Sequence, residues 1–427
     1  NYVLPTKNSS VLNVVAGGAN TTIDGSILSN GNVYVLNPNG IVIGNGARID
    51  TNSFYVGTSD NTAFATYYFN QNGKLPSQDG LAPAAGSAGV SAGAIIRVSD
   101  NITISSKNIT IGGAFVLIVT GNLTSRGGVA SSFSTVNTAT TIQAKSANIS
   151  GGAITADKIN TNALTVDGTN VTVNVGNVTN NPVVSVTANG TVSVTAPAAL
   201  TANVTNTNAT ATTTVNAAGA LTLNRVQVEG TGLASFTGTS VSDTNSRLFV
   251  YGPAAFTATT GNVTINKGNH SFGPVSVSAV AGEAIVIEDA ATQLNVVNTP
   301  KLNLTSRDYV FQTPLTGVIT SANTTVSAVG NITLGAAGNS AGTYSLVGQN
   351  VSLATAGPTT TAIRGGNITV TAAGPVTLGS VNAGGTLGVS STGAITQAVD
   401  SKVNSVGSVS FLGTGLTLGN AGNTFGG

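Results

Sequence analysis

Charged side chains are scarce in this chain of 427 residues. Lys, Arg, Asp and Glu make up 7% of the sequence, against roughly 25% in an ordinary soluble domain. The formal net charge is +1. Nucleic-acid binding needs clustered Lys and Arg to neutralise phosphates, so this composition argues against a nucleic-acid partner. It also indicates that Asn, Thr and Ser keep the protein soluble, or that it associates laterally with other copies.

Cysteine, methionine and tryptophan are absent. Their absence excludes disulfides, thiol nucleophiles and thiolate metal sites, so stability has to come from backbone pairing and small apolar side chains. The longest apolar run, Ala114 to Val119, is far shorter than the roughly 20 residues that cross a bilayer, and we expect no transmembrane segment. Because the chain begins at Asn1 rather than at Met, we expect a mature product whose export signal has been removed.

Alternating apolar and polar residues recur along most of the chain, as in 102–104, 192–194 and 275–277. This period of two is typical of β-strands. The 54 glycines and the many Thr and Val residues disfavour helices. The sequence therefore predicts an all-β protein.

A longer repeat distinguishes between β architectures. Gly-Asn followed by an apolar residue and Thr opens strands at Asn122, Asn262, Asn331 and Asn367. Strands that open on Asn lie about 20 residues apart, as between 101 and 122, which favours a parallel β-solenoid over a β-sandwich. The end of the chain, 419–427, resembles 266–273, so we expect the final repeat to be cut before its strand.

One stretch, residues 66–93, interrupts this rhythm. It contains Pro76, Pro83 and several glycines, and we expect a loop extruded from the solenoid. The aromatic residues Tyr67, Tyr68 and Phe69 in this loop have two interpretations. They either anchor the base of the loop or contact a neighbouring molecule or ligand.

The segment 10–59 carries the most specific pattern. Asn37-Pro38-Asn39-Gly40-Ile41 follows the apolar strand 33–36 and precedes the run 44–50. This region resembles the secretion domain of filamentous-haemagglutinin-like exoproteins of the two-partner secretion pathway. The resemblance implies a right-handed parallel β-helix, a bacterial exoprotein exported through an outer-membrane transporter, and a role in adhesion or as a surface fibre. On this basis 1–120 is the secretion-domain-like start and 121–427 continues the solenoid repeats.

The same motif has a purely physical interpretation. Proline at position 38 keeps Asn37 out of the helical region and fixes its own φ. Asn39 and Gly40 tolerate positive φ, so the motif predicts a tight reversal between strands.

Residues suited to catalysis or metal binding are few. His270 is the only histidine, and no acidic residue lies within ten positions of it, so we expect a solvent-exposed turn histidine. Glu283, Glu288 and Asp289 form the densest acidic group, but neighbours along a strand point to opposite faces. We therefore expect no catalytic, cofactor-binding or metal site, and no enzymatic activity.

Asn-X-Ser/Thr sequences are abundant and have two interpretations. Asn residues at the start of successive strands can stack as a ladder of side-chain amides, which is a structural role. They are also acceptors for glycosylation. The candidates for glycosylation are Asn101, Asn108, Asn122, Asn262, Asn331 and Asn367.

These features favour an extracellular structural rod on the bacterial cell surface. We expect its partners to be copies of itself, arranged head to tail and laterally, with a carbohydrate ligand as a further candidate. Tyr2, Val3 and Leu4 could polymerise the rod by strand donation, with coil-on-coil stacking as the alternative. Two other functions stay open: a monomeric secreted adhesin of the two-partner pathway, and a β-helix enzyme acting on polysaccharides.

Overall fold

A computed structural model describes most of the chain. The described residues are 1–44, 46–58, 90–92, 95–98, 102–111, 116–119, 122–133, 141–143, 146–161, 163–176, 181–244, 246–312, 318–353 and 363–426. They form two compact units, Asn1–Asn208 and Ala209–Gly427. The predicted boundary between 120 and 121 falls inside the first unit. The described residues contain strands and turns but no helix, and so no helix that could span a membrane.

Strands β1 to β18 belong to the first unit. Their bounds are β1 Ser10–Val14, β2 Thr21–Ile23, β3 Ser26–Leu28, β4 Asn32–Leu36, β5 Ile41–Ile43, β6 Arg48–Thr51, β7 Ser53–Gly57, β8 Val90–Ala92, β9 Ile95–Val98, β10 Ile102–Ile111, β11 Val116–Val119, β12 Asn122–Phe133, β13 Thr141–Gln143, β14 Ser146–Asn160, β15 Ala163–Val175, β16 Val183–Ala188, β17 Val192–Ala196 and β18 Leu200–Asn206.

Strands β19 to β43 belong to the second unit. Their bounds are β19 Thr213–Ala217, β20 Leu221–Val228, β21 Ala234–Gly238, β22 Val241–Asp243, β23 Leu248–Val250, β24 Ala254–Ala258, β25 Val263–Ile265, β26 His270–Phe272, β27 Val275–Ala279, β28 Glu283–Glu288, β29 Thr292–Ser306, β30 Val310–Gln312, β31 Val318–Ala328, β32 Ile332–Thr333, β33 Asn339–Gly348, β34 Val351–Ser352, β35 Ile363–Ala372, β36 Val376–Leu378, β37 Val381–Ala383, β38 Leu387–Ser391, β39 Ala394–Gln397, β40 Val403–Ser405, β41 Val409–Leu412, β42 Gly415–Thr417 and β43 Thr424–Phe425.

In the first unit, each of the coils from β1 to β9 contributes three strands that pair in parallel with the next coil, and from β10 on longer strands span two of these positions, as β10 pairs with both β7 and β8. Strand β1 pairs with β4 and β4 with β7, so that Ser10 lies beside Asn32 and Asn32 beside Ser53. Strands β2, β5 and β8 form a second sheet, and β3, β6 and β9 form a third. The predicted parallel β-solenoid is confirmed. The right-handed winding of the coils, which the resemblance implies, stays a prediction.

The second unit repeats this arrangement. Ala234 pairs with Ala254, which pairs with Val275, through strands β21, β24 and β27. Along these strands buried residues alternate with partly exposed ones, and the buried positions are apolar. The predicted period of two therefore arises because one face of each strand lines the core of its own coil.

Aromatic side chains stack on each other inside the coils. Tyr34 and Tyr55 lie at paired positions of β4 and β7, with ring centroids 5.7 Å apart. Phe236 and Phe256 pair in the same way in β21 and β24, at 5.5 Å. All four are buried. Because the parallel register repeats, a large residue in one coil is accommodated by a large residue in the next.

The predicted loop at 66–93 is wrong at its end. Val90–Ala92 forms strand β8, which pairs with Ile41–Ile43 of β5 and with β10. Its apolar–polar–apolar order fits a strand of the solenoid as well as those that were recognised. Residues 66–89 and 93 lie outside the described residues.

Candidate functional site

The Asn37-Pro38-Asn39-Gly40-Ile41 motif forms a corner of the first unit. The Gly40 N–H donates to the Asn37 carbonyl at 3.0 Å, which closes a four-residue turn with Pro38 as its second residue. Gly40 has φ +116°, whereas no positive φ occurs at Asn39. The predicted reversal is therefore wrong: the turn leads from β4 to β5 around one coil, and each strand pairs in parallel with other coils.

The side chain of Asn37 holds this corner against the preceding coil. It is fully buried, and its Nδ2 donates to the Ala19 carbonyl and to Thr21 Oγ1, both at 2.9 Å. Its Oδ1 accepts the N–H of Asn39 at 2.9 Å. Ile41 then enters the core. The contacts of this motif are thus structural ones within the chain.

The candidate polymerisation segment lies against its own chain. Tyr2 forms a parallel bridge with Ser29, and its backbone N–H donates to the Leu28 carbonyl at 2.8 Å. The Leu4 N–H donates to Asn30 Oδ1 at 2.7 Å, whereas Val3 is 91% exposed. Strand donation to another copy would require this segment to detach first.

The other predicted contact residues are only partly described. Tyr67, Tyr68 and Phe69 lie outside the described residues, as does Asn101. Asn108 and Asn122 lie within strands β10 and β12. Contacts of the aromatic cluster stay a prediction.

Strand-opening asparagines contact the neighbouring coil, as the structural interpretation predicts. Asn350 Nδ2 donates to Asn331 Oδ1 at 2.7 Å, which is one step of an amide ladder. Asn262 Oδ1 accepts the N–H of Glu283 at 2.9 Å, and Asn367 Oδ1 accepts that of Thr386 at the same distance. The ladder is therefore confirmed at Asn331, and at Asn262 and Asn367 the amide contacts the next backbone instead. Glycosylation stays a prediction.

Glycines make room for these asparagines. Gly282 precedes Glu283 and lies over the preceding turn, where an added Cβ would meet the Gly261 carbonyl oxygen and would stand 2.5 Å from Asn262 Oδ1. Gly385 occupies the equivalent place over Asn367. Backbone of one coil thus packs directly on backbone of the next, which explains why Gly and Asn recur together in the sequence.

The expectation for His270 is wrong. Its side chain is fully buried, at the start of β26, and its Nε2 lies 2.9 Å from Asp243 Oδ2 at the end of β22. The Leu248 N–H donates to Nδ1 at 3.3 Å, and the Gly268 N–H lies 3.2 Å from Nε2. In the tautomer with its proton on Nε2, the ring donates to Asp243. A local pattern indicates this burial, because His270 and the inward-facing Phe272 are two residues apart on one strand and so point to the same face.

Asp243 is the centre of this buried corner, and sequence reasoning missed it. It accepts backbone N–H groups from Asn266 at 2.9 Å and from Lys267 at 2.8 Å, in addition to the His270 ring. Burial by itself would raise the pKa of the Asp243 carboxyl, but the hydrogen bonds from His270 and the two backbone groups outweigh burial and lower it. Asp243 is therefore a buried, ionised and fully bonded carboxylate.

The three acidic residues predicted as a group near 283–289 do not lie together: some are at the surface and one is in the core. Glu288 is fully buried, and burial raises its pKa to about 7, although its Oε1 accepts the Phe272 N–H at 2.8 Å. Asp289 accepts the His270 N–H at 3.1 Å and pairs with Arg307 at 2.8 Å. Glu283 pairs with Lys301 at 2.7 Å at the surface.

Two pairs of amide side chains reproduce the Asp243–His270 arrangement. The first pair is Gln312 with Asn339. Gln312 ends β30 as Asp243 ends β22, and Asn339 begins β33 as His270 begins β26. The two amides exchange hydrogen bonds of 3.1 and 2.8 Å, and Asn339 Oδ1 accepts the Ile319 N–H at 2.9 Å. This N–H takes the place of the Leu248 N–H that His270 accepts.

The second amide pair is Gln397 with Asn423. Their amides exchange hydrogen bonds of 2.8 and 2.9 Å, and Asn423 Oδ1 accepts the Val403 N–H at 2.9 Å. Asn420 donates its N–H to Gln397 Oε1 at 3.3 Å, as Asn266 does to Asp243. We call the three pairs the corner pairs: Asp243–His270, Gln312–Asn339 and Gln397–Asn423.

The recurrence assigns the corner pairs a structural role. Each pair joins the last residue of a strand to a residue at or just before the start of a strand on the next coil. Each also accepts a backbone N–H that would otherwise lack a partner at the corner. The histidine ring has both nitrogens engaged and has no solvent contact. Within the described ranges, no three His, Asp or Glu side chains lie close enough together to hold a metal ion.

The family described as "Repeats of unknown function (DUF5649)" matches three segments of the chain, 209–278, 282–347 and 365–427. All three lie in the second unit. Each contains one corner pair at a corresponding place. The second unit is thus similar to this repeat family over three segments, and a corner pair lies in each of them.

One curated relative is similar over a short segment. The "Heme/hemopexin-binding protein" of Haemophilus influenzae is 41% identical over 56 residues. The aligned segment covers 13% of this chain and 6% of that protein. The similarity is thus distant and partial, and it agrees in part with the bacterial exoprotein family that the sequence resembles.

Proposed function

We propose that this chain is an extracellular structural β-solenoid, a subunit of a bacterial surface fibre that assembles head to tail. Three findings support the proposal: the solenoid fold, the resemblance of residues 10–59 to two-partner exoproteins, and the partial similarity to the Haemophilus influenzae protein. Export through an outer-membrane transporter follows from the same resemblance. The corner pairs and amide ladder serve this role because they stiffen the coils without any reactive group.

The observation that carries the proposal is that core residues of successive coils stack in columns. Val376 pairs with Ile395, which pairs with Leu416, on strands β36, β39 and β42. Val376 and Ile395 are fully buried, whereas Leu416 is 54% exposed. Covering a leucine side chain stabilises by about 1.5 to 3 kcal/mol. A further coil stacked on 409–425, from this chain or from another copy, would bury Leu416 in the same way.

The first coil also carries unpaired strand edges. Among the described strands, β1 pairs only with β4 and β2 only with β5, so each has one unpaired edge. Strands β41, β42 and β43 likewise pair on one side only. Because Tyr2 and Leu4 are bonded to their own coil, this geometry favours coil-on-coil stacking over strand donation.

The test replaces Leu416 by Asp in the full chain. We expect wild-type protein to sediment as concentration-dependent oligomers and L416D to sediment as a monomer. Val280→Asp is the matched control, because Val280 is also exposed but lies on a turn after β27, away from this column. Oligomers that persist unchanged in L416D would remove the proposed interface.

Two alternative functions predict different outcomes. A monomeric adhesin would sediment as a monomer in both wild type and L416D. A polysaccharide-active enzyme would release reducing ends when the purified chain is incubated with a polysaccharide.

A further inference from the structure

A cleft of about 580 Å³ lies on the surface of the second unit. Six of its lining side chains can contact a ligand: Arg225, Gln227, Glu229, Ser246, Arg247 and Phe249. The cleft has no role in the corner pairs or in the proposed assembly surface.

The cleft lies where the corner between two strands is longer in one coil than in the preceding coil. Leu223 pairs with Asp243 and Val226 pairs with Leu248, so two residues form the corner in one coil and four form it in the next. Ser246 and Arg247 of the longer corner line the cleft.

Arg225 and Arg247 occupy the same position on these neighbouring coils, each one residue before a paired core residue. Both are exposed, and neither belongs to the ion pairs found among the described residues. The nearby Glu229 accepts a hydrogen bond from Gln227 Nε2 at 2.7 Å. Because the two arginines lie at neighbouring positions of successive coils, an anion placed between their guanidinium groups would be attracted to both.

Phe249 orients one of these groups. The Arg247 guanidinium carbon lies 5.1 Å from the centroid of the Phe249 ring, a cation–π contact. This contact holds Arg247 across the cleft, while Gln227 and Ser246 supply groups that can bond hydroxyls. The lining thus combines two guanidinium groups, polar groups that can bond hydroxyls, and one apolar ring.

The spacing of the arginines selects among anionic polymers. Neighbouring coils are about 4.8 Å apart, which is comparable to the length of one sugar ring. An extended peptide presents side chains on one face every two residues, or about 6.6 Å, and fits this spacing less well. Planar carboxylates match the guanidinium fork.

We propose that this cleft binds an acidic saccharide, a linear sugar chain whose rings carry carboxylates. Arg225 and Arg247 bind carboxylates of successive rings, and Gln227 and Ser246 bond sugar hydroxyls. Binding at this cleft needs no assembly of the chain, so the inference stands apart from the proposed fibre.

The test is calorimetric titration of the full chain with a galacturonate oligomer at low ionic strength. We expect saturable binding that weakens about tenfold or more when both arginines are replaced, in R225Q/R247Q, because charge-assisted hydrogen bonds are lost. R364Q/K402Q is the control: it removes two exposed positive charges elsewhere in the second unit and should bind as wild type does. Circular dichroism verifies that each variant is folded.

Three comparisons make the result decisive. A neutral oligosaccharide of the same length should not bind, and a glutamate oligomer should bind at least about tenfold more weakly than the galacturonate oligomer. Equal binding of the glutamate oligomer would overturn the saccharide assignment. Absence of galacturonate binding, or unchanged binding in R225Q/R247Q, would overturn the site.

Discussion

The imidazole Nε2 of His270 lies 2.9 Å from the carboxylate of Asp243, which is buried in the preceding coil. A buried His–Asp pair is also an arrangement used by catalytic triads. Here the equivalent places of the next two repeats hold amide pairs with the same backbone contacts. The pair is therefore a local variant of a structural corner.

The corner pairs also compensate each other in size. Asp243 is short and His270 long, whereas Gln312 is long and Asn339 short. We expect D243Q/H270N to restore an amide corner pair and to keep the free energy of unfolding within about 1 kcal/mol of wild type. Chemical denaturation measures this difference.

The single variant H270A is the contrasting change. It leaves the Asp243 carboxylate buried with one hydrogen bond fewer and a cavity beside it, so we expect a loss of about 3 kcal/mol. If D243Q/H270N were as unstable as H270A, the equivalence of the three corner pairs would be wrong.

Glu288 predicts a pH dependence of stability. Its pKa is about 7 in the folded protein and 4.5 in the reference state, because burial disfavours the ionised carboxyl. Protonated Glu288 contributes fully to the free energy of unfolding below pH 4.5. As the pH rises through 7 this contribution is lost, because the unfolded chain releases the proton at a lower pH than the folded protein does. The shift corresponds to about 3 kcal/mol.

Unfolding measured between pH 4 and pH 8 tests this prediction. The E288Q variant should lose the decline, whereas E229Q, which alters an exposed carboxylate, should keep it. Asp243 does not obscure the result, because its lowered pKa affects stability only in more acidic solution. A wild-type protein equally stable at pH 4.5 and pH 7.5 would contradict the assignment.

Gly282 predicts a steric effect. Alanine there would place Cβ against the Gly261 carbonyl and 2.5 Å from Asn262 Oδ1, so G282A should destabilise the protein by about 2 kcal/mol. Gly388 has no atom within 4 Å of an added Cβ. G388A should therefore unfold within about 0.5 kcal/mol of wild type, and equal effects of the two variants would disprove direct coil contact.

Assembly should depend little on ionic strength. The coil 409–425 contains no Asp, Glu, Lys or Arg, so its contacts are apolar and hydrogen-bonded. Light scattering between about 0.05 and 0.5 M salt, a range that shortens the Debye length several-fold, should show constant oligomer size. Dissociation at the higher salt concentration would indicate charged contacts instead.

Much of the fold was predictable, because two periodicities of a solenoid, that of its strands and that of its coils, are both visible in the sequence. The period of two gave the strands, and the spacing of Asn331 and Asn350 gave the coil, as their amide contact confirms. The likeness of 419–427 to 266–273 also had a structural cause: Asn420 and Asn266 make the same contact to a corner pair.

The environment of His270 was less predictable. Its partner Asp243 lies 27 positions earlier, beyond any local pattern. The arginine cleft was missed for the same reason, because Arg225 and Arg247 become neighbours only when the coils stack in register. Strand parity reveals which residues face inward, but only the register reveals which residues meet.

Electron microscopy of the purified full chain tests the central claim most directly. We expect filaments one solenoid wide, many subunits long, in which the axial inter-strand spacing of about 4.8 Å continues across subunit junctions. L416D prepared at the same concentration should show single molecules. Wild-type protein that remains as single molecules at every concentration would contradict head-to-tail assembly.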